Sequence, residues 1–243
     1  MPKFFTEQKI EDTITLTGQT ASHISKSLRM KVGEEVVLCD GKGRDYGCII
    51  TAVSKESVEL KLAFKTKSES EAAVKIEVFQ GLPKGDKLSE VVRRCTELGA
   101  FAFHPVIMKR SVSRPDEKSA KKKVERLRKI SSEAAEQSRR GIIPEVFEIE
   151  SFESALKENR CEKTILFYEN GGRRLKDILD EYNREGVESI ALIIGPEGGF
   201  DESEVDAAKA LGAEVATLGK RILRTETAPV AACANVIYEL DKF

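Results

Sequence analysis

The stretch SIALIIGPEGGFDESEVD, residues 189–206, decides the fold of the second part of the chain. It opens with a continuous apolar run, which is typical of a strand buried on both faces of a parallel sheet. The run ends at GPEGGF, residues 195–200, and Asp201 with Glu204 three residues later forms a capping-box pattern that predicts a helix start. A strand, a glycine-rich loop and a helix in this order predict an α/β unit whose ligand lies at the carboxyl end of the strand.

The same alternation extends to both sides of this stretch. Predicted strands are VKIEVFQG (74–81), AFAFHPVI (100–107), KTILFYE (163–169) and AEVATL (213–218), and predicted helices include DKLSEVVRRCTELG (86–99) and LKDILDEYN (175–183). We therefore predict a largely parallel sheet with helices on both faces, in a domain over residues 73–243. The loops FYENGG, GPEGGF and LGKRILRTETA follow strands, so they are the candidate ligand-binding segments.

The sequence before this domain has short strands and tight turns. SVELKLAF (57–64) alternates apolar and polar residues, and Asp40-Gly41 is a hairpin signal. One helix is predicted over residues 22–33, ended by Gly33. These features predict a small β-barrel over residues 1–68, and the charged, serine-containing segment 65–72 is interpreted as the linker.

Composition excludes several protein classes. The chain has 243 residues, 40% of them hydrophobic, which suits a globular protein with a large core. No apolar run approaches the roughly 18 residues of a membrane span, and MPKFFTEQKI lacks a secretory h-region, so we expect a cytoplasmic protein without a membrane partner. The five cysteines and two histidines are scattered, so we expect buried reduced thiols and no zinc site or other metal.

Charge is unevenly distributed although the net charge is −1. Residues 109–129 hold ten basic and three acidic residues, whereas residues 197–206 hold five acidic residues and no basic one. The cationic segment is interpreted either as a patch that meets a polyanion or as a solvated helix face. Its charge does not decide between the two.

The glycine-rich loops do not have the spacing of a phosphate cradle. GPEGGF matches neither the P-loop nor the dinucleotide-binding pattern, and GLPKGDKLS (81–89) places its second glycine four positions after the first, where the P-loop needs five. The segment LGKRILRTETAPVAA (218–232) is long for a strand-to-helix connection, where about two to six residues are usual. Its length and its three cations, Lys220, Arg221 and Arg224, indicate a functional loop.

Together these stretches resemble a known family. LIIGPEGGF followed by LGKRILRTETAPVAA resembles the two signature motifs of the 16S ribosomal RNA (uracil-N3)-methyltransferase family, which belongs to the SPOUT class. Further matches lie at HISKSLRMKVGEEV, GLPKGDKLSEVVRRCTELG and EAAEQSRRGIIPEV, so the resemblance extends over essentially the whole chain.

The resemblance implies an α/β fold class with an N-terminal PUA-like RNA-binding β-barrel and a C-terminal SPOUT-type parallel sheet tied in a deep trefoil knot. It implies a homodimer that binds S-adenosylmethionine at the knot. Its substrate would be N3 of one uridine in 16S rRNA, in the decoding region of the 30S subunit. The strand–helix alternation alone predicts an unknotted sheet, because knots are nearly absent from folds.

The resemblance also implies the cofactor-binding residues, which are Glu169, Gly195, Pro196, Glu197, Gly199, Leu218, Gly219, Ile222, Leu223, Thr227 and Ala228. Methylation at N3 requires loss of the N3 proton and stabilisation of negative charge on O2 and O4, without a covalent nucleophile. Arg224 is the predicted anion stabiliser, with a salt bridge to Glu226 as the alternative. The base is Glu197 or Glu226, and we assign Arg224 and Glu226 as the catalytic pair.

N3 lies on the Watson–Crick edge, so the uridine must be unpaired or flipped out to react. The predicted RNA-binding residues are cations in both domains: Lys3, Arg29, Lys31, Lys84, Lys87, Lys109, Arg110, Arg139 and Arg140. Two alternatives remain, a SPOUT methyltransferase acting on transfer RNA and a non-catalytic RNA-binding protein that retains the knot.

Overall fold

The structure, a computed structural model, describes residues 1–241. These residues form two compact units. The first comprises residues 1–71 together with 139–143, and the second comprises residues 72–138 and 144–241. The short segment 139–143 therefore belongs to the first unit although it lies far along the chain.

The first unit is built on one five-stranded sheet. Its elements are β1 (Lys3–Phe5), β2 (Thr13–Thr17), α1 (Gly18–Ser22) continued by a π-helical turn (His23–Ser27), β3 (Glu35–Cys39), β4 (Arg44–Val53) and β5 (Ser57–Lys67). The strand order is β1-β3-β4-β5-β2, in which only the β1–β3 pair is parallel. Alternate residues of the strands fill its core, for example Leu38, Ile50 and Leu60.

The predicted β-rich character and the turn at Asp40-Gly41 are confirmed, since Gly41 has a φ of 69° between β3 and β4. Two boundaries were wrong. Strand β5 continues through Lys67, into the segment interpreted as a linker, because it pairs with β4 as far as Arg44. The predicted helix over 22–33 instead begins at Gly18 and its π-helical turn ends at Ser27.

The second unit alternates strands and helices, as predicted. Its elements are β6 (Lys75–Gly81), α2 (Lys87–Glu97), β7 (Ala102–Ile107), α3 (Glu117–Gln137), β8 (Glu145–Val146), β9 (Glu150–Ser151), α4 (Phe152–Glu158), β10 (Lys163–Phe167), β11 (Arg173–Arg174), α5 (Leu175–Glu185), β12 (Ser189–Ile194), α6 (Glu202–Ala210), β13 (Glu214–Thr217) and α7 (Ala228–Leu240). The sheet has the order β11-β13-β10-β12-β6-β7-β8, with β9 also paired to β7, and its pairs are parallel.

Both faces of this sheet are covered, which explains the continuous apolar runs of its strands. In β12, Leu192 and Ile194 pack in one core with α2, α3, α5 and α7, while Ile193 packs in a second core with α4 and α6. The predicted capping box is confirmed, with Asp201 accepting from Ser203 N and Glu204 accepting from Asp201 N at 3.0 Å. Because the strands are parallel, β6, β10, β12 and β13 all end at the same edge.

Four of the five cysteines are buried, as predicted, and Cys161 is half-buried. Burial raises the pKa of both Cys39 and Cys161 to about 12. Among the helices of residues 1–241, none is long and apolar enough to cross a membrane.

Candidate functional site

A cavity of about 600 Å³ lies at the carboxyl edge of the parallel sheet. Its walls are three loops that follow strands: Tyr168–Glu169 after β10, residues 195–199 after β12, and residues 218–226 after β13. Lys87, in the first turn of α2, and Ala228, at the start of α7, also line it. The three loops predicted as ligand-binding segments therefore come together, as expected for parallel strands.

The GPEGGF loop approaches its neighbours closely. Gly199 has a φ of 67°, a left-handed conformation that favours glycine, and its N–H donates to Pro196 O at 2.9 Å. A Cβ atom at Gly199 would overlap the carboxylate of Glu169. The backbone turn therefore favours glycine here, and the exposed Glu169 side chain would have to move to make room for any side chain at this position.

A buried hydrogen-bond network joins this loop to the loop after β13. The Gln80 amide, which is 1% exposed, donates through Nε2 to Thr225 Oγ1 at 3.0 Å and to Gly195 O at 3.3 Å. Thr225 Oγ1 in turn donates to Gly195 O at 2.8 Å. We call Gln80, Thr225 and Gly195 the latch, because together they tie two cavity walls to the end of β6.

The loop after β13 places a cation at the cavity. Arg224 is 84% exposed in its side chain, and its Nη1 lies 3.9 Å from Glu226 Oε1. A turn in which Thr227 N and Ala228 N both donate to Arg224 O connects the loop to α7. Ile222 is 85% exposed. The loop therefore offers a guanidinium and an apolar side chain to a molecule that enters from solvent.

Two carboxylates at the cavity differ in their surroundings. Glu197 Oε1 accepts from Lys87 Nζ at 2.7 Å and from Lys84 N at 3.1 Å. Burial opposes ionisation of Glu197, but these hydrogen bonds outweigh it and lower the pKa of the carboxyl. Glu226 Oε2 is buried, lies 3.9 Å from Lys87 Nζ, and accepts no hydrogen bond from the described residues. Of the two candidate bases, Glu226 has the buried oxygen without a hydrogen bond, whereas Glu197 is held by Lys87 and Lys84 N through Oε1.

Nearly all the residues predicted to bind the cofactor line this cavity, together with the predicted catalytic pair Arg224 and Glu226. Thr227 does not line it; it stands at the start of α7, where its side chain makes no capping hydrogen bond. Sequence reasoning missed Gln80, Thr225 and Tyr168. A polar residue at the end of the apolar run VKIEVFQG was the available signal for Gln80.

The predicted RNA-binding cations have different environments. Two of them have acidic partners within the first unit. Lys3 is paired with Asp45 at 2.8 Å and is 10% exposed, and the buried Arg140 is paired with Glu71 at 2.5 Å. Lys87 belongs to the cavity, and Arg110 Nη1 donates to Gly198 O at 3.3 Å. The cations that are exposed are Arg29, Lys31, Lys84, Lys109, Arg110 and Arg139.

No cluster of three or more histidine, cysteine, aspartate or glutamate side chains able to hold a metal ion occurs within residues 1–241. The walls of the cavity consist of backbone groups, apolar side chains, three carboxylates and four cationic side chains, which are Lys87, Lys220, Arg221 and Arg224.

Comparison with known proteins identifies the family. Residues 70–237 match a family model described as an RNA methyltransferase domain, and residues 16–63 match one described as an RNA methyltransferase PUA domain. Ribosomal RNA small subunit methyltransferase E of Bacillus subtilis (strain 168) is 36% identical, over 99% of this chain and 98% of the relative. The protein of the same name from Synechocystis sp. is 33% identical, over 95% of this chain and 74% of the relative.

A solved structure agrees with this relationship. Ribosomal RNA small subunit methyltransferase E from Neisseria gonorrhoeae, bound to S-adenosyl methionine, matches with a TM-score of 0.84 and 32% identity, over 97% of this chain and 96% of that chain. The sequence identity, the coverage and the fold point to one group. The chain belongs to the RNA methyltransferase family, among the ribosomal RNA small subunit methyltransferases E.

Proposed function

We propose that the protein transfers a methyl group from S-adenosylmethionine to N3 of one uridine in 16S rRNA, in the decoding region of the 30S subunit. The observation that carries the proposal is the cavity, which brings the two family motifs together around Arg224 and Glu226. The rRNA substrate and the cofactor follow from the family. The uridine and its N3 atom are inferred from the resemblance of the two motifs.

The cavity fits S-adenosylmethionine in size and in chemistry. A volume of about 600 Å³ is within the range of small-molecule sites. The loops lack the spacing of a phosphate cradle, and the cofactor has no phosphate. Three carboxylates, Glu169, Glu197 and Glu226, line the cavity and can lie near the cationic sulfonium. When bound, the cofactor supplies the methyl group.

Arg224 and Glu226 would supply the other two requirements of the reaction, which are stabilisation of the uracil anion and removal of the N3 proton. The exposed Arg224 guanidinium would donate to O2 or O4 of the uracil, which stabilises the anion that forms when N3 loses its proton. Glu226 Oε2 would accept that proton, since no hydrogen bond from the described residues occupies it. Glu197 serves a different purpose: its hydrogen bonds to Lys87 and to Lys84 N hold the GPEGGF loop against α2.

The proposal includes the knot and the homodimer. Both are implied by the resemblance of the two motifs to the SPOUT class. Ribosomal RNA as substrate would place the enzyme in the cytoplasm. The target uridine must leave any base pair to expose N3.

The test is methylation in vitro with labelled S-adenosylmethionine, offered 30S subunits, free 16S rRNA and bulk transfer RNA, with the product nucleoside identified by mass spectrometry. We expect 3-methyluridine on the small subunit. Label on transfer RNA alone, or a 2′-O-methylated product, would overturn the proposal. Binding of S-adenosylmethionine without methylation of any of the three RNA substrates would also overturn the proposal.

The roles of the two catalytic residues are tested with variants that still bind the cofactor. Arg224→Ala should lower kcat about 10²- to 10³-fold, as loss of an oxyanion donor does, with the Kd for S-adenosylmethionine within about twofold. Glu226→Gln should lower kcat with the Kd for S-adenosylmethionine nearly unchanged, whereas Glu197→Gln should leave kcat near the wild-type value. Near-normal turnover of Arg224→Ala would refute the role of the guanidinium.

A further inference from the structure

Helix α3 (Glu117–Gln137) carries most of the cationic segment, and one side of this helix is buried in the core. Val124, Leu127 and Ile130 are buried, and the helix start is fixed by Asp116, which accepts from Ser119 N at 2.8 Å. A helix with one buried side presents its other side to solvent. The outward residues of α3 are therefore available to a partner.

Some of the cations on the outward side of α3 already form ion pairs with acidic residues. Lys121 is paired with Glu117 at 2.7 Å, Arg128 with Glu148 at 3.0 Å, and Lys129 with Glu133 at 3.8 Å. By contrast, Lys118 and Lys122 are exposed and Lys123 is half-buried, and none of these three makes an ion pair or hydrogen bond with the described residues. The first two turns of α3 thus hold three cations without a counterion.

These cations continue to the rim of the cavity. Arg126, one turn after Lys122, contacts the start of α2 through Asp86 at 2.7 Å and Ser89 at 3.1 Å. The neighbouring Lys87 lines the cavity. Lys84, two residues before Asp86, is exposed and donates its backbone N–H to the cavity residue Glu197. Arg126 therefore links α3 to the start of α2, and Lys84 is a further exposed cation on the segment that leads from the cavity to α2.

Burial lowers the pKa of the Lys123 ammonium, and the positive charge of Arg126 adds to this effect while Asp86 opposes it. A nearby anion would offset both unfavourable contributions. Glu125, three residues after Lys122, shares the outward side of the helix and is the residue whose charge would repel such an anion.

The chemistry of this surface suits RNA better than protein. Among the exposed large hydrophobic residues of the described chain, none lies in α3. Protein interfaces are depleted in lysine and depend on buried aromatic or aliphatic anchors, whereas phosphate contacts need only cations. We propose that Lys84, Lys118, Lys122 and Lys123 form a basic track that binds the phosphate backbone of the rRNA substrate beside the cavity. This inference rests on the proposed function.

The test compares two triple variants that remove the same charge. The track variant is Lys118→Gln, Lys122→Gln and Lys123→Gln, which keeps helix propensity. The matched control is Lys157→Gln, Lys176→Gln and Lys209→Gln, three exposed lysines on α4, α5 and α6. Binding of 16S rRNA and of 30S subunits is measured over a range of salt concentrations, with the Kd for S-adenosylmethionine as the check on folding.

The track variant should reduce the slope of log K against log salt by about 2, because each phosphate contact contributes about 0.7 to 0.9, and should raise KM for the RNA with kcat nearly unchanged. The control should keep the wild-type slope. Glu125→Gln should act in the opposite direction and tighten binding. Equal slopes for the track and control variants would overturn the basic track while wild-type methylation still supports the proposed function. Wild-type protein that neither binds nor methylates rRNA would overturn both.

Discussion

Replacing Thr225 by valine tests whether the latch holds the cavity together. Thr225 is 7% exposed and its hydroxyl makes two hydrogen bonds, accepting from Gln80 and donating to Gly195 O. Valine keeps the volume but removes both bonds. Each is worth about 1 kcal/mol net, and no donor is orphaned because Gln80 Nε2 retains Gly81 O at 3.0 Å and Gly195 O. We expect the free energy of unfolding to fall by about 2 kcal/mol.

Cofactor affinity is the second measurement. If the two lost hydrogen bonds let the two loops open in the free protein, S-adenosylmethionine must close them again on binding, so its Kd rises. A loss of about 2 kcal/mol limits this rise to about 30-fold. Thr225→Ser is the matched control: it keeps the hydroxyl and loses one methyl, which costs about 0.8 kcal/mol of stability without affecting the cofactor. Calorimetric titration and urea unfolding separate these effects. Wild-type affinity in Thr225→Val, or equal weakening in Thr225→Ser, would refute the latch.

Three further predictions concern other residues of the second unit and the thiols. Gly199→Ala should weaken S-adenosylmethionine binding in calorimetry, because the cavity-lining Glu169 side chain must move away from the new Cβ, whereas Gly212→Ala, at a φ of 87° with open space around it, should cost only about 1 kcal/mol of stability. The pKa of Glu197 is lowered from about 4.5, so its contribution to stability is present above that pH and is lost as pH falls through the lowered value. The difference in acid unfolding between wild type and Glu197→Gln should therefore be constant from pH 5 to 8 and shrink below that range. Because burial raises the pKa of Cys39 and Cys161 to about 12, iodoacetamide at pH 8 should leave both unmodified in native protein and modify them after denaturation, as mass spectrometry would report.

The architecture of the second unit could be predicted because its sequence signals are local. The apolar run before Gly195 fixes a strand buried on both faces, and Asp201 with Glu204 fixes the next helix start. Parallel strands then bring their following loops to one edge without further information. The order of the strands in the sheet, by contrast, could not be predicted from local signals. That β13 lies beside β10 rather than beside β12 depends on pairing between distant segments, which periodicity does not encode.

The cations illustrate a second limit. Lys3 and Arg140 have the same residue types as the exposed Lys84 and Arg139, and nothing in their immediate sequence distinguishes them. The difference is their partners: Asp45 and Glu71 are 42 and 69 residues away in the sequence. A buried ion pair fixes a side chain and removes it from solution. Electrostatic predictions from sequence therefore identify charged segments, such as residues 109–129, better than single contact residues.

Gln80 could not be identified as a site residue from the sequence alone. In sequence it ends an apolar strand, where a polar side chain is unfavourable unless it is hydrogen-bonded. Its partners Gly195 and Thr225 lie 115 and 145 residues away, so the reason for the glutamine appears only in the folded sheet. The same reasoning explains the spacing of the two motifs. Gly195 and Thr225 are 30 residues apart because α6 and β13 must intervene before the chain returns to the latch. The two motifs therefore act as one structural element, and a substitution in either is expected to alter the other.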